Sequence, residues 1–213
     1  EMMEPSACSI MHVRDDAKLL QFANVSTGTD PYYGIFGAQA PGIFQPSIYP
    51  KVKFFFIYHK PDINVCHKLY DVLRNGILTS DRTRTISPSL SSCIKQPFTT
   101  DKNGSICFEN INTALEEIKK QLEGKLFEKD TQYFAIYISP ISKDDTDNSN
   151  HDLYNQLKEL LLVNNILSQV IYRERPHSNN FRYHLPNIAI AILGKLGGIP
   201  WQIYNESPKK ELV

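Results

Sequence analysis

Two short, nearly continuous apolar runs constrain what this chain can fold into more than any other feature. Val52-Lys53-Phe54-Phe55-Phe56-Ile57-Tyr58 and Tyr133-Phe134-Ala135-Ile136-Tyr137-Ile138 carry apolar residues at odd and even positions alike. A strand with one wet face alternates apolar and polar residues, so these runs predict strands covered on both faces. Segments of helical period lie between and after them. Ile63 to Leu73 places Val65, Leu69, Val72 and Leu73 on one face and stops at Asn75-Gly76. Leu115, Ile118 and Leu122 form a second stripe, with Asn112 or Thr113 as cap and Gly124 as end. Leu153 to Val163 predicts a third helix, followed by a short strand over Ser168 to Tyr172. This alternation predicts parallel β-α-β units in a doubly wound α/β sheet.

The remaining segments are less regular. Residues 1–50 have poor periodicity, with aromatic, Pro and Gly residues crowded between Phe22 and Pro50, and predict an extended lead-in that packs on something larger. The polar stretch from Thr79 to Ser92 ends in a candidate strand over Ser92–Lys95. The acidic stretch from Lys143 to Asp152 predicts a loop. Within Asn187 to Gly198, Ile188 to Leu193 is apolar throughout and on periodicity alone suits a buried strand or a buried helix. Pro186 suits a first helical turn, and Gly197-Gly198 before Pro200 suits a helix stop, so a buried helix is expected there. The resulting division is a lead-in over 1–50, a main domain over 51–201 and the start of a linker over 202–213.

Composition narrows the function classes. At 213 residues and 41% apolar content the chain can bury a core. Its 23 basic residues balance 23 acidic ones, which argues against affinity built on overall positive charge. No apolar run approaches the ~18 to 20 residues of a membrane span, and Glu1-Met2-Met3-Glu4 lacks a signal-peptide pattern. Cys8, Cys66, Cys93 and Cys107 form no C-x-x-C pair and read as reduced thiols of a cytoplasmic protein. There is no G-x-S-x-G, P-loop, G-x-G-x-x-G after a strand, or H-E-x-x-H. His59, His67, His151, His177 and His184 are spaced like packing or surface residues. Asp144-Asp145-x-Asp147 lacks the Gly and final Glu of a calcium loop.

Anion chemistry concentrates in the C-terminal third. Tyr154 and Lys158 are four apart on a helix and share a face, pairing a stacking ring with an ammonium. Gln169 carries an amide that can donate to a phosphate oxygen. Lys195 lies near a helix end between Gly194 and Gly197, which permit close backbone approach. Each has an ordinary explanation: a half-exposed helix face, a polar strand edge, a cation at a helix C-terminus. A small α/β enzyme acting on a phosphorylated metabolite or nucleotide would use the same groups, but needs a nucleophile or acid-base pair near the lysines that the sequence does not reveal. A scaffold whose Tyr154/Lys158 face packs on a partner is a third reading.

The combination resembles a known family. Tyr154-x-x-x-Lys158, then Ser168-Gln169-Val170-Ile171, then Pro186-Asn187-Ile188-Ala189 leading to Lys195-Leu196-Gly197-Gly198-Ile199-Pro200-Trp201, is similar to the MID domain of Argonaute proteins and its passage into the PIWI domain. Leu19 to Asn24 and Asp30-Pro31-x-x-Gly34-Ile35-Phe36 resemble the opening of short prokaryotic Argonautes, which lack the PAZ domain. The resemblance implies a Rossmann-like MID domain that binds the 5′-phosphorylated end of a guide RNA or DNA. Tyr154 would stack on the first base, and Lys158, Gln169 and Lys195 would hold the terminal phosphate. Asp144, Asp145 and Asp147 fall where the family reads the edge of the first base.

One departure stands out. Eukaryotic relatives carry a further lysine where this chain has Ala191. Some prokaryotic members use Mg2+ or Mn2+ at the guide phosphate, and Ala191 supplies no ligand for either. Arg173, Arg175 and Arg182 are candidates to replace that charge or to contact later phosphates. The resemblance further implies a complementary target strand, a PIWI domain in the same or a separate chain, and, for the short type, an APAZ-containing partner fused to a TIR or Sir2 effector. The system would serve prokaryotic defence. The slicer carboxylates belong to PIWI, so no nuclease activity is expected of these residues, and a membrane partner is not implied.

Overall fold

The computed structural model describes residues 18–204 apart from 38, 80–83, 102–103, 143–147 and 179. Asp144, Asp145 and Asp147 therefore lie outside the described residues. The chain runs β1 (Leu20–Gln21), β2 (Thr27–Gly28), α1 (Pro31–Phe36), β3 (Val52–His59), α2 (Ile63–Asn75), β4 (Ile77–Leu78), β5 (Thr85–Ser87) and α3 (Leu90–Ile94). It continues through β6 (Ile106–Phe108), α4 (Ala114–Glu123), β7 (Gln132–Ser139), α5 (Asn148–Val163), β8 (Ile166–Tyr172), α6 (Phe181–Lys195) and β9 (Gln202–Ile203).

The two apolar runs are β3 and β7, adjacent and parallel, with Phe54 opposite Phe134 and Phe56 opposite Ile136. They form the centre of a four-stranded parallel sheet of order β6-β3-β7-β8. Their doubled hydrophobicity has a direct structural cause. Phe54, Phe56, Phe134, Ile136 and Ile138 point into one core with residues of α2, α3 and α6. Phe55, Ile57, Tyr133, Ala135 and Tyr137 point into another, with Ile118 and Leu122 of α4 and Leu157 and Leu161 of α5. Helices on both faces of a parallel sheet make the Rossmann-like α/β fold. From β3 the chain steps to β6 on one side and later to β7 and β8 on the other, so the order reverses between β3 and β7.

Three local expectations are corrected. Asn148 to Asp152, expected as the end of a loop, are helical and belong to α5. Ser92–Lys95 is not a strand: Leu90–Ile94 is a helical turn, with Ser89 Oγ accepting from the Ser92 amide at 3.3 Å. A serine at the cap position outweighs the weak strand preference of the residues after it. Pro186 does not open the last helix, which starts five residues earlier at Phe181 and keeps Pro186 inside it. Phe181, Leu185, Ala189, Ile192 and Leu193 are all buried on one stripe. Burial of Phe181 and Leu185 draws helix past a proline that removes one backbone bond.

The 1–50 segment is tied to the main sheet domain through its described residues. β1 pairs antiparallel with β2 and with β9, and Gln45 bridges Ile199. Phe22, Ile35 and Ile43 are buried in the α6-side core. Among the described residues, no helix is long and apolar enough to cross a membrane.

Candidate functional site

β8 is the edge strand of the sheet, and α5 and α6 cover its two faces. The end of α6 is fixed by two glycines. Gly197 has φ +73°, open to glycine but strained for other residues, and its amide donates to Gly194 O at 3.1 Å. A Cβ on Gly198 would lie 2.3 Å from Leu193 Cδ1. The N-terminal segment then locks this end. The Ile48 amide donates to Leu196 O at 3.1 Å, and Ser47 Oγ donates to the same oxygen at 3.2 Å.

This lock aims Lys195 back across β8. Its Nζ donates to Ser168 O at 2.5 Å and to Gln169 Oε1 at 2.9 Å. Gln169 Nε2 in turn donates to Val170 O at 2.9 Å. Partial burial of the ammonium, and secondly the charge of Lys158, lower the pKa of Lys195 below the ordinary lysine value. Lys158 on α5 is therefore within electrostatic reach of Lys195 on α6, across the edge strand. Tyr154 lies one turn before Lys158 on α5 and is 36% exposed. The structure thus joins Lys195 to Gln169 by a hydrogen bond and leaves Lys158 within electrostatic reach of Lys195 from α5, one turn after Tyr154.

The three arginines stand apart from this group. Arg173 follows the end of β8, four residues and roughly 13 Å along the strand from Gln169, and its Nη1 lies 3.8 Å from Asp62 Oδ1. Arg175 donates through Nη1 to His184 Nε2 at 3.3 Å. Arg182 donates to Tyr183 OH at 2.9 Å and lies over that ring, 4.7 Å from its centre. It sits thirteen residues before Lys195 on α6, roughly 20 Å along the axis.

Sequence reasoning missed two parts of this region. Ser168 contributes a main-chain carbonyl, which no side-chain pattern reports. Asp62 and His59 sit at the carboxyl end of β3, near the reversal of strand order. Asp62 Oδ2 and His59 Nδ1 are buried 3.9 Å apart, with no hydrogen bond to either among the described residues. A carboxylate just ahead of an amphipathic helix was the available signal for Asp62, but its burial beside Arg173 depends on the fold. The groups around Lys195 do not fit a divalent cation: two ammonium groups, an amide already engaged at both ends, and Ala191 offer no anionic ligand. Among the described residues, no three His, Cys, Asp or Glu side chains are grouped to hold a metal ion.

No protein-family model matches the sequence, and no curated protein matches it. Solved structures do. A Clostridium butyricum Argonaute bound to a guide DNA and a target DNA matches with a TM-score of 0.62 and 19% identity, over 90% of this chain and 25% of that one. The Argonaute protein from Methanocaldococcus jannaschii matches with a TM-score of 0.59 and 20% identity, over 90% of this chain and 27% of that one. Drosophila Piwi gives 0.57 and 12%, over 89% of this chain and 23% of that one. The chain spans about a quarter of the length of the structures it matches. Over nine-tenths of its length, then, this chain has the fold of a segment of Argonaute proteins.

Proposed function

We propose that the chain is a MID-type module that binds the 5′-phosphorylated end of a guide RNA or DNA. The observation that carries this reading is the hydrogen bond of Lys195 to Gln169 on β8, with Lys158 within electrostatic reach of Lys195. Two ammonium groups that feel one another repel, and a terminal phosphate dianion between them would remove that repulsion and accept charge-assisted hydrogen bonds. Tyr154, on the helix face of Lys158, supplies a ring for the first base. Arg173, Arg175 and Arg182 are too far along the strand and helix to join the terminal phosphate and are assigned to later phosphates. Metal plays no part in this reading.

The chain acts in it as a binding module, with target strand, PIWI domain and any APAZ-containing TIR or Sir2 subunit as its partners in cytoplasmic defence against invading nucleic acid. The guide and target DNA held by the Clostridium butyricum structure support nucleic acid as the ligand class. The test is a comparison of 5′-phosphate and 5′-hydroxyl oligonucleotides of one sequence. The phosphate end should bind more tightly, and Lys158→Ala and Lys195→Ala should each reduce that preference by about 10- to 100-fold, the worth of one charge-assisted bond. Equal affinity for the two ends in the unmodified chain would rule the reading out.

A further inference from the structure

We infer that Glu117 and Gln121 of α4 guard the free edge of β6, occupying its outward backbone groups so that the same edge of a second copy of the chain cannot pair with them. The inference stands on the fold alone and does not draw on the guide-end reading.

The sheet order β6-β3-β7-β8 leaves β6 with a strand on one side only. An open strand edge presents unpaired N–H and C=O groups, which are a template for another strand. Backbone groups alternate sides along a strand, so every second residue of β6 turns them away from β3. Side chains of α4 meet those groups. Gln121 Oε1 accepts from the Cys107 amide at 3.4 Å, and Gln121 Nε2 donates to Cys107 O at 2.8 Å. Two residues on, Glu117 Oε2 accepts from the Glu109 amide at 2.8 Å, and its Oε1 accepts from the Asn110 amide at 3.3 Å. An acceptor on the N–H and a donor on the C=O of one residue is what a neighbouring antiparallel strand offers. The Gln121 amide stands in for that strand.

Packing fixes the guard in place. Glu117 and Gln121 are four apart and share a face of α4, beside the buried stripe of Ala114, Ile118 and Leu122 that seats the helix on the sheet. Glu117 also accepts from Thr113 Oγ1 at 2.7 Å, an ordinary contact at a helix start. Gln121 lies near the other end of α4, and its amide is spent on Cys107, with its second N–H on Glu117 O at 3.4 Å.

A second copy is the occupant this edge fits. With the guard removed, Cys107 offers one N–H and one C=O, and a two-fold axis sets another β6 beside it in antiparallel pairing. The 23 basic and 23 acidic residues leave no net charge to hold two copies apart.

The test uses the full 213-residue chain. Gln121→Ala, and the double variant Glu117→Ala with Gln121→Ala, keep a good helix former at each position. Amide exchange in the native chain, followed by NMR, should speed up about 5-fold at Cys107 in Gln121→Ala, and at Cys107 and Glu109 in the double variant, the worth of one hydrogen bond each. In analytical ultracentrifugation the double variant should dimerise at concentrations where the wild type is monomeric. Cys107→Pro, added to the double variant, removes the outward N–H and should restore the monomer. Ile136→Ala loosens the core but leaves the guard in place, and should not dimerise. A double variant that stays monomeric overturns the inference, and so does a dimer that survives Cys107→Pro or that Ile136→Ala forms equally well. Unchanged Cys107 exchange in Gln121→Ala overturns it too, however the double variant folds.

Discussion

Lys195 bears its charge against partial burial and against Lys158, and both act in the same direction on stability. At neutral pH the ammonium is charged in folded and unfolded chains alike, and the folded state carries the cost. As pH rises through the lowered folded value toward 10.5, the folded chain releases its proton first and the cost disappears. Stability should therefore gain from Lys195 with rising alkaline pH. Lys158→Met should shrink that gain, as read by urea midpoints compared across the same pH range. Single thiols are predictable in the same way. Burial pushes Cys66 and Cys93 up to about 12, and Cys107, less buried, is raised as well. Alkylation of the native chain, read by mass spectrometry, should modify Cys107 before Cys66 or Cys93.

At the scale of elements, the end of α6 decides where Lys195 points. Gly198→Ala puts a methyl against Leu193 and Gln45 O and should destabilise the fold by about 1–3 kcal/mol in urea unfolding, with weaker phosphate preference than stability alone explains. A second junction holds β3 to the turn before β7. Lys51 and Lys53 both hydrogen-bond Glu128 and hold its carboxyl down to about 2. That depressed value contributes stability above 4.5 that is lost as pH falls toward 2. Glu128→Gln should flatten acid unfolding, followed by circular dichroism, across this window.

Element type was legible in the sequence wherever burial imposed a period. β3, β7 and the stripes of α2 and α4 followed from apolar spacing alone. Where a cap or a distant contact decided, spacing was insufficient. Ser89 turned Leu90–Ile94 into helix, and buried Phe181 and Leu185 extended α6 upstream of Pro186. The sequence offered the residue types of the proposed site, because the phosphate-binding reading asks for cations and donors. Their geometry was not legible: the Ser168 carbonyl, the double use of the Gln169 amide and the Asp62–Arg173 pairing come from backbone positions.

For the whole molecule, two cores on opposite faces of one thin sheet make the central strands the common support. Ile136 is fully buried, and Ile136→Ala should cost about 2–5 kcal/mol in urea unfolding. The site depends in addition on a tie that crosses nearly the entire chain. Ser47 reaches Leu196 O across 149 positions, and β1 meets β9 over a comparable span. Closing so large a loop is entropically slow and waits on the parts between. The sheet and its flanking helices are thus expected to form before the end of α6 is locked, so anion binding should be recovered after the bulk of the helical signal when the chain refolds from urea. A chain shortened to begin at residue 51 should keep the parallel sheet yet lose this final step, leaving a fold without a finished binding edge.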